Sequence, residues 1–247
     1  MEINGKHYRM TFDCHTHTTF SHGTGSIEDN VKAALEKNLK GVAITDHGPG
    51  HLTYGVKRRN FPVMRDEVDR LRKLYPQIEI YLGVEANIIG KGNHLDVRSE
   101  ELSYLDFLIA GYHYGIPGGH CIGNWLDAHG LYPDGGGKKL LRFNTEMTVR
   151  ALYENDIKIL THPGDKGRFA IREIAEACEK TDTLMEINTR HCHLTEEEIR
   201  IAAKADVRFI ISSDAHSPDR VGDFQNGVQR ALRAGLDMER IVNIEEL

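Results

Sequence analysis

The chain has 247 residues and a net charge of −6, with 31 Lys and Arg against 37 Asp and Glu. This balance excludes the basic field that holds long nucleic acids, and the sequence has no apolar run of roughly 18 residues to span a membrane. We therefore expect neither long nucleic acid nor a membrane as a partner, while the oligomeric state stays open. Four cysteines without a C-x-x-C pair or a disulfide framework favour a reducing, cytoplasmic compartment.

Short apolar runs alternate with segments of helical periodicity along the chain. Seven runs are typical of strands, namely residues 8–14, 42–45, 78–84, 107–111, 157–161, 183–187 and 208–212. A helix is predicted after Ser26, where Asp29 completes a capping-box-like pattern, and Thr195 with Glu198 forms another capping box. The remaining helices are predicted near residues 62–74, 145–155, 169–180, 195–205 and 224–234.

This alternation predicts an α/β fold with a parallel sheet. Seven strands, with residues 241–244 as a weak eighth, favour one closed (β/α) barrel over an open doubly wound sheet. The open alternative is weakened because no G-x-G-x-x-G sequence follows the first strand. No linker-like stretch divides the sequence, so we expect a single domain over residues 1–247.

Residues 114–142 interrupt the alternation of predicted strands and helices. This Gly-rich stretch contains Pro117, the single tryptophan Trp125 and three consecutive glycines at 135–137. A long connection without regular structure in a compact domain is usually functional, so we expect a lid or insertion here. It is hypothesised to close over a small substrate, with Trp125 or Tyr132 stacking on a ring. The alternative is a surface excursion without a role.

Ionisable residues follow six of the seven predicted strands at the point where each strand ends, and one more lies in a Gly-rich loop. Because strand ends of a parallel barrel meet at one face, these side chains are expected to converge. Buried ionisable groups are unfavourable when unpaired, and metal coordination removes that cost. The candidate metal ligands are His15, His17, His22, His47, Glu85, His113, His162, Asp214 and His216.

The type and number of these ligands restrict the metal. Residues i and i+2 of a strand share a face, so His15 and His17 are predicted to bind one ion while Cys14 faces away toward the helices. Nine ligands exceed the roughly three to six that one ion takes, which indicates two or three ions. Imidazole and carboxylate donors suit Zn²⁺, Fe²⁺ or Mn²⁺ better than Mg²⁺, which prefers oxygen.

The motifs, taken in chain order, resemble those of the PHP (polymerase and histidinol phosphatase) family. They are Asp13-x-His15-x-His17, Asp46-His47, Gly-Val-Glu85, Gly-Tyr-His113, Thr-His162-Pro and Asp214-x-His216, spread over residues 13–216. The resemblance implies a distorted (β/α)7 TIM-like barrel with a centre of three divalent metal ions, Zn, Fe or Mn. The length of the chain favours the standalone, histidinol-phosphatase-like phosphoesterases over the polymerase-linked members.

The resemblance also implies which residues hold each metal. The ligands implied for the first metal are His15, His17, Glu85 and Asp214. Those implied for the second metal are Glu85, as a bridge, His113 and His162. Those implied for the third metal are His22, His47 and His216. Glu85, Asp214 and His216 are the residues expected to be catalytic.

The expected chemistry follows from paired metals. Two ions about 3.5–4 Å apart activate a shared hydroxide and neutralise a phosphoryl group, so we expect hydrolysis of a small, histidinol-phosphate-like monoester by a metal-bridging hydroxide. Arg190, after the sixth strand, is the candidate phosphate-binding residue. Asp46 and His51 are candidates for the leaving-group acid. His191 and His193 are expected to be solvent-exposed, with a substrate contact as the alternative.

Three other functions stay open. One is a phosphodiesterase acting on nucleotides or short oligonucleotides, which the acidic net charge permits. Another is an amidohydrolase-type enzyme that hydrolyses C–N bonds and also begins with H-x-H, although Glu85 and the Asp214-x-His216 pair favour the PHP pattern. The last is a non-catalytic metal-binding module. Metal analysis followed by a panel of phosphoester and amide substrates separates these functions.

Overall fold

The computed structural model describes residues 1–3, 5–132 and 136–247 of the chain. The described strands are β1 Glu2–Ile3, β2 Lys6–Met10, β3 Phe12–Thr16, β4 Gly41–Ile44, β5 Glu79–Leu82, β6 Glu85–Asn87, β7 Leu108–Gly111, β8 Ile157–Leu160, β9 Leu184–Asn188, β10 Phe209–Ser212 and β11 Ile244–Glu246. The described α-helices are α1 Ile27–Glu36, α2 Phe61–Leu74, α3 Ser99–Leu102, α4 Cys121–Ala128, α5 Gly136–Glu154, α6 Ile171–Thr181, α7 Glu196–Ala202 and α8 Gln225–Ala234.

Two parallel sheets make up the body of the fold. One has the strand order β3-β4-β5, and the other has the order β10-β9-β8-β7-β6. Strands β4, β7, β8, β9 and β10 lie within one residue of the predicted runs at each end. These strands are mostly buried along their length, because helices cover the sheets, and they therefore read as short apolar runs. The parallel α/β class predicted from the sequence is confirmed.

One continuous stretch of chain, residues 79–87, is divided between the two parallel sheets. Its first half, β5, pairs with β4, and its second half, β6, pairs with β7. At the junction, Gly83 N donates to the Ile44 carbonyl at 2.8 Å, while Val84 O accepts from Ile109 N at 3.1 Å. The strand predicted over residues 78–84 corresponds to β5, and β6, which follows it directly and belongs to the other sheet, was not predicted.

The far edges of the two sheets also touch. Thr16, at the end of β3, forms a parallel bridge with Ala215, three residues after β10. His17 N donates to the Ala215 carbonyl at 2.8 Å, and Ser213 N donates to a carboxylate oxygen of Asp13 at 3.1 Å. The strand that carries His15 and His17 is therefore fixed beside the strand that leads to Asp214.

A third sheet is antiparallel, with the order β1-β2-β11, and it corrects two predictions. The predicted first strand, 8–14, is two strands, of which β2 lies in this small sheet and β3 in a parallel one. Residues 241–244 do not form an eighth parallel strand, because Ile244 pairs antiparallel with Met10. In β2, Tyr8 and Met10 are buried between exposed neighbours, a one-sided pattern that the combined run 8–14 concealed.

Helix caps confirm two of the sequence predictions. Ser26 accepts from Asp29 N while the Asp29 carboxylate accepts from the Ser26 backbone, which begins α1. Thr195 and Glu198 make the same reciprocal pair at the start of α7. The apolar faces of these helices, including Val31 in α1, pack on the outer faces of the strands in one large core cluster.

A second apolar cluster is made from the strands and contradicts the predicted direction of Cys14. Its buried members are Ile109, Ile159 and Ile210, and Cys14 packs against them rather than in the cluster that includes the helices. The pairing of β3 with β4 shifts register between Asp13 and Thr16, so the simple alternation of faces does not hold across this strand.

Residues 114–142 contain more regular structure than the sequence predicted. Helix α4 lies inside this segment, and α5 begins at Gly136, nine residues before the predicted helix start. Residues 133–135 of the segment, including one of its three central glycines, lie outside the described residues. Among the described helices, none combines the length and hydropathy that a membrane crossing requires.

Candidate metal centre

The ionisable residues predicted at the strand ends converge at the carboxyl edge of the two parallel sheets. The ring of His17 has its centroid 4.2 Å from that of His47 and 4.2 Å from that of His216. His162 and Asp214 have φ angles of +28° and +50°, a left-handed conformation that is uncommon outside glycine. Such backbone conformations tend to persist where the surrounding structure requires them, often at functional sites.

Glu85 lies at the centre of the cluster and is fully buried. Its Oε1 atom is 2.8 Å from His162 Nε2 and accepts from Thr161 Oγ1 at 2.7 Å. Its Oε2 atom lies 2.8 Å from His47 Nδ1. Histidines with a ring nitrogen within 3.8 Å of this carboxylate are His15, His17, His47, His113 and His162. One carboxylate thus contacts imidazoles that follow or belong to four different strands.

Asp214 is the second buried carboxylate of the cluster. Its Oδ1 atom lies 3.2 Å from His17 Nε2 and 3.2 Å from His216 Nδ1. Its Oδ2 atom lies 3.3 Å from His191 Nε2 and accepts from Asn188 Nδ2 at 3.2 Å. Glu85 and Asp214 therefore flank the same group of imidazoles from two sides.

Three groups of potential ligand atoms lie within 4.8 Å of one another. Their members are His17, His47 and His216; His15, His17 and Asp214; and His47, Glu85 and His113. Two predicted ligands fall outside these groups but lie beside them. The His22 ring is 4.8 Å from that of His47, and His162 contacts Glu85 directly. The structure therefore brings all nine sequence-predicted ligands together.

Burial and local charge set the protonation of this cluster. Burial alone would raise the pKa of the Glu85 carboxyl, yet the charges of His113 and His15 hold that pKa well below its usual range. Burial lowers the pKa of His47 to about 3. Burial, together with neighbouring His47, also holds the pKa of His17 well below its ordinary value. Ionised carboxylates and neutral imidazoles are the forms that bind metals.

Several nitrogen and oxygen atoms of the cluster have no well-aligned hydrogen bond within the protein. Buried side-chain atoms without a hydrogen-bond partner include His17 Nδ1, His47 Nδ1, Glu85 Oε2, His113 Nε2, His162 Nδ1, Asp214 Oδ1 and His216 Nε2. The Nε2 atoms of His15 and His17 also lie 3.0 Å apart, so the two rings direct nitrogen atoms toward the same point. Because buried polar atoms are normally paired, this donor set fits bound cations.

A layer of polar side chains behind the cluster orients its imidazoles. Glu186 Oε1 lies 2.8 Å from His15 Nδ1, which leaves the Nε2 atom of His15 facing Glu85. Asn87 Oδ1 lies 2.8 Å from His113 Nδ1 in the same way. Such partners fix the ring orientation of metal-binding histidines. Sequence reasoning missed Glu186, although a carboxylate in the middle of the strand 184–188 was the available signal.

The carboxylate of Asp46, one of the two candidates for the leaving-group acid, is engaged by hydrogen bonds from the loop after β3. It is fully buried, and its carboxylate accepts from Thr18 N at 2.8 Å, Thr18 Oγ1 at 2.6 Å and Ser21 Oγ. It therefore anchors the loop that carries His22. The other candidate, His51, lies farther from the centre, with its ring 6.3 Å from that of His47 and stacked on Tyr54 at 3.5 Å.

Arg190 and His191 reach the cluster from the loop after β9. A guanidinium nitrogen of Arg190 contacts His216 Nδ1 and lies 3.7 Å from Asp214 Oδ1, while its side chain is 38% exposed. His191 is only partly exposed, and its other nitrogen, Nδ1, lies 3.4 Å from Asp165. The expectation that His191 is solvent-exposed is therefore wrong. His193 is also half-buried and contacts Glu198.

Tyr54 is a further residue that the sequence did not point to. Its ring lies 4.2 Å from that of His22 and 5.1 Å from that of His47. Tyr54 lies in the loop after β4 and borders that side of the cluster. A single tyrosine in a loop carries no sequence pattern, so no signal could have identified it.

Imidazoles and carboxylates with unpaired atoms converge at the strand ends of this parallel α/β fold. Such an arrangement is typical of metal-dependent hydrolases. The model of the PHP domain matches residues 13–190, and the chain is a member of the PHP family, whose proteins are metal-dependent phosphoesterases. The sequence is also similar to the Probable phosphatase YcdX of Shigella flexneri and of Escherichia coli O9:H4. Each is 27% identical and aligns with 94% of this chain and 89% of its own length.

Two solved structures share the fold. A protein from Listeria monocytogenes, provisionally described as the histidinol phosphatase hisK, superimposes with a TM-score of 0.67 and 17% identity, covering 86% of this chain and 97% of its own. Histidinol phosphate phosphatase from Lactococcus lactis, complexed with zinc, L-histidinol and phosphate, gives a TM-score of 0.63 and 17% identity, covering 92% and 95%. At this identity the likeness extends to the fold alone.

Proposed function

We propose that this protein hydrolyses a small phosphate monoester, with histidinol phosphate as the first substrate to test, at the cluster around Glu85. The observation that carries the proposal is the convergence of nine imidazole and carboxylate side chains, seven of which have a buried nitrogen or oxygen atom without a hydrogen-bond partner. The phosphatase relatives and the zinc and phosphate bound to the Lactococcus lactis protein support it.

The proposed cofactors are three divalent metal ions, Zn, Fe or Mn. Bound metals would supply a nucleophile derived from water and neutralise charge on the phosphoryl group. The proposed ligands of the first ion are His15, His17, Glu85 and Asp214. The proposed ligands of the second ion are Glu85, His113 and His162. The proposed ligands of the third ion are His22, His47 and His216.

The remaining site residues bind and orient the substrate in this proposal. Arg190 presents a half-exposed guanidinium beside Asp214 and His216, where it would bind a phosphoryl oxygen of the substrate. His191, held between Asp165 and Asp214, borders the same position. Glu85, Asp214 and His216 are the proposed catalytic residues, because they would hold the metals that activate water and neutralise the phosphoryl group.

We further propose that the two parallel sheets form the wall of one distorted (β/α)7 TIM-like barrel. The stretch 79–87, which both sheets share, and the bridge between Thr16 and Ala215 support closure. The proposed single domain covers residues 1–247, with residues 114–142 as an insertion. One cooperative transition, coincident by calorimetry and circular dichroism, is the expected unfolding behaviour. The cytoplasmic location expected from the sequence stays a prediction.

Metal analysis and a substrate panel test the function. We expect mass spectrometry of the purified protein to find bound Zn, Fe or Mn, and the loaded protein to hydrolyse phosphate monoesters in preference to diesters and amides. The variant Glu85→Ala should lose metal and nearly all hydrolysis, because Glu85 contacts five histidines of the cluster.

A matched control is Glu79→Ala, which removes an exposed carboxylate from the same stretch of chain. This variant should retain both metal and activity. A folded Glu85→Ala protein with wild-type hydrolysis would contradict the proposal, as would a fully loaded wild-type protein that prefers diesters or amides.

A further inference from the structure

An apolar cavity is lined mainly by residues of the ranges 114–132 and 139–143. It has a volume of about 770 Å³, within the usual range for small-molecule sites. Aromatic side chains at its wall include Trp125, Tyr132 and Phe143, and Leu52 closes one side. Trp125 is 47% exposed and Leu52 is 73% exposed, so both leave apolar surface uncovered in the free protein.

The cavity adjoins the metal centre through two segments of chain. Leu52 directly follows His51, and Leu52 N donates to the Gly115 carbonyl at 3.3 Å. Cys121, at the start of α4, places its Sγ atom 3.6 Å from the carbonyl oxygen of His113. The cavity wall is thus bonded to the backbone of a proposed metal ligand.

The charge of the lining restricts what the cavity accepts. Lys139 is the one lysine or arginine among the described lining residues, and these residues include no carboxylate. Its ammonium lies 5.5 Å from the centre of the Phe143 ring, and His120 stacks on the same ring at 5.0 Å. An aromatic ring finds stacking partners here, whereas a cationic amine finds no counter-ion.

We propose that this cavity binds the organic part of the substrate and that this part carries an uncharged aromatic ring. The inference rests on the proposed phosphatase function, which supplies the phosphate end at the metal centre. It selects aryl-bearing monoesters within the broader class of small monoesters. It also predicts that histidinol phosphate, whose leaving group carries an amine, is a poorer substrate than an ester with a neutral ring.

Two esters with similar alkoxide leaving groups test the proposal, 2-phenylethyl phosphate and n-propyl phosphate. With the metal-loaded wild-type protein, we expect kcat/KM to be at least roughly tenfold higher for the phenylethyl ester, since burial of a ring replaces burial of a methyl group. Trp125→Ala and Leu52→Ala should lower that ratio several-fold. Leu74→Ala, which truncates an exposed leucine outside the cavity lining, should leave the ratio unchanged.

A binding measurement avoids dependence on catalysis. Trp125 is the only tryptophan of the chain, so intrinsic fluorescence reports on this cavity. We expect 2-phenylethanol, the product alcohol, to change the emission saturably, and 1-propanol at equal concentration to have no effect. Leu52→Ala, which keeps the fluorophore, should weaken the binding of 2-phenylethanol.

The outcomes separate the two proposals. Equal kcat/KM for both esters, with no saturable fluorescence change, overturns the ring site and leaves the phosphatase function standing. Hydrolysis of neither ester, nor of any other monoester, overturns the function and with it the assignment of the ring to a substrate. A concentration-dependent dimer that Trp125→Ala abolishes, with unchanged ester preference, also overturns the ring site, because the apolar surface would then belong to an interface between copies.

Discussion

The Nδ1 atom of His15 lies 2.8 Å from Oε1 of Glu186, and both side chains are fully buried. The second oxygen of Glu186 accepts from His162 N at 2.8 Å and from Asn188 Nδ2 at 2.9 Å. Burial would lower the pKa of His15, but Glu85 and Glu186 raise it well above its ordinary value. Glu186 therefore links strand β9 to two proposed metal ligands without itself facing the centre.

The variant Glu186→Gln should weaken metal binding. The amide has one acceptor oxygen, so it loses either the contact with His15 or the one with the His162 backbone, while the size of the side chain is preserved. Partners of this kind typically contribute about 10- to 100-fold to metal affinity. Competition with a chelator measures the change, and Glu173→Gln, in an exposed position of α6, is the matched control. Unchanged affinity in Glu186→Gln would remove this residue from the support of the site.

Arg230, in α8, should position the loop that carries Arg190. Its guanidinium donates to the carbonyls of Leu194 at 2.9 Å, His191 at 3.3 Å and Asn188 at 2.5 Å. Burial lowers its pKa. A lysine keeps the charge but cannot reproduce this fork of donors. We expect Arg230→Lys to raise KM for a phosphate monoester about tenfold, because small displacements of a substrate-binding group are costly.

The effect of Arg230 must be separated from a general loss of stability. Arg233→Lys is the control, since Arg233 lies on the same helix with a side chain 65% exposed. Thermal unfolding of both variants should be followed in parallel with KM and kcat. A loss of thermal stability in Arg230→Lys at wild-type KM would show that the residue supports only the fold.

The pH dependence of stability should report on His22 in the metal-free protein. Burial, reinforced by the charges of His216 and Arg190, lowers the pKa of His22 from 6.5 to about 4. In this range the unfolded chain binds the proton and the folded chain does not, so stability falls as pH falls from 6.5 to about 4. His22→Gln removes this loss, and its melting temperature should decline less steeply than that of the wild type.

Exposed His7 supplies the control for this measurement, because it lies in the small antiparallel sheet. His7→Gln should follow the wild-type pH profile more closely than His22→Gln does. Parallel slopes for the wild type and His22→Gln would contradict the proposed environment of His22.

The four free cysteines should differ strongly in reactivity. Burial, aided by the charge of Asp13, raises the pKa of Cys14 to about 12, and burial raises the pKa of Cys178 as well. Cys192 is exposed. Because the thiolate is the reactive form, iodoacetamide should modify Cys192 first and spare Cys14 and Cys178 until the protein unfolds. Peptide mass spectrometry follows the order, and Cys192→Ser should abolish the fastest phase.

The sequence predicted most parallel strands and all nine clustered ligands, because both follow from local patterns. Apolar runs such as 157–161 have the length of strands, and the residue that ends a parallel strand must lie at one edge of its sheet. His162 and Asp214 were therefore identifiable without coordinates. Helix starts with a capping box, such as Ser26, were equally local.

The features that the sequence did not predict depend on distant contacts. The division of the first run at Thr11 depends on pairing with β11, more than 200 residues away. Apart from its place in a strand, no local sequence motif identifies the role of Glu186, because its partner His15 lies 171 positions earlier. The register shift in β3 likewise reversed the predicted direction of Cys14.

Glu85 has a second role, because it lies in the stretch 79–87 that both parallel sheets share. Its backbone joins the two parallel sheets, since Glu85 N donates to the Asp46 carbonyl at 3.1 Å and Glu85 O accepts from Gly48 N at 2.7 Å. An ion bound by the Glu85 carboxylate would therefore stabilise the junction between the two parallel sheets. A fluctuation that separates the two sheets would distort the metal site. Because the two equilibria are linked, each bound ion lowers the population of such open states. Occupancy of the centre would then be readable in the amide exchange of residues far from any substrate.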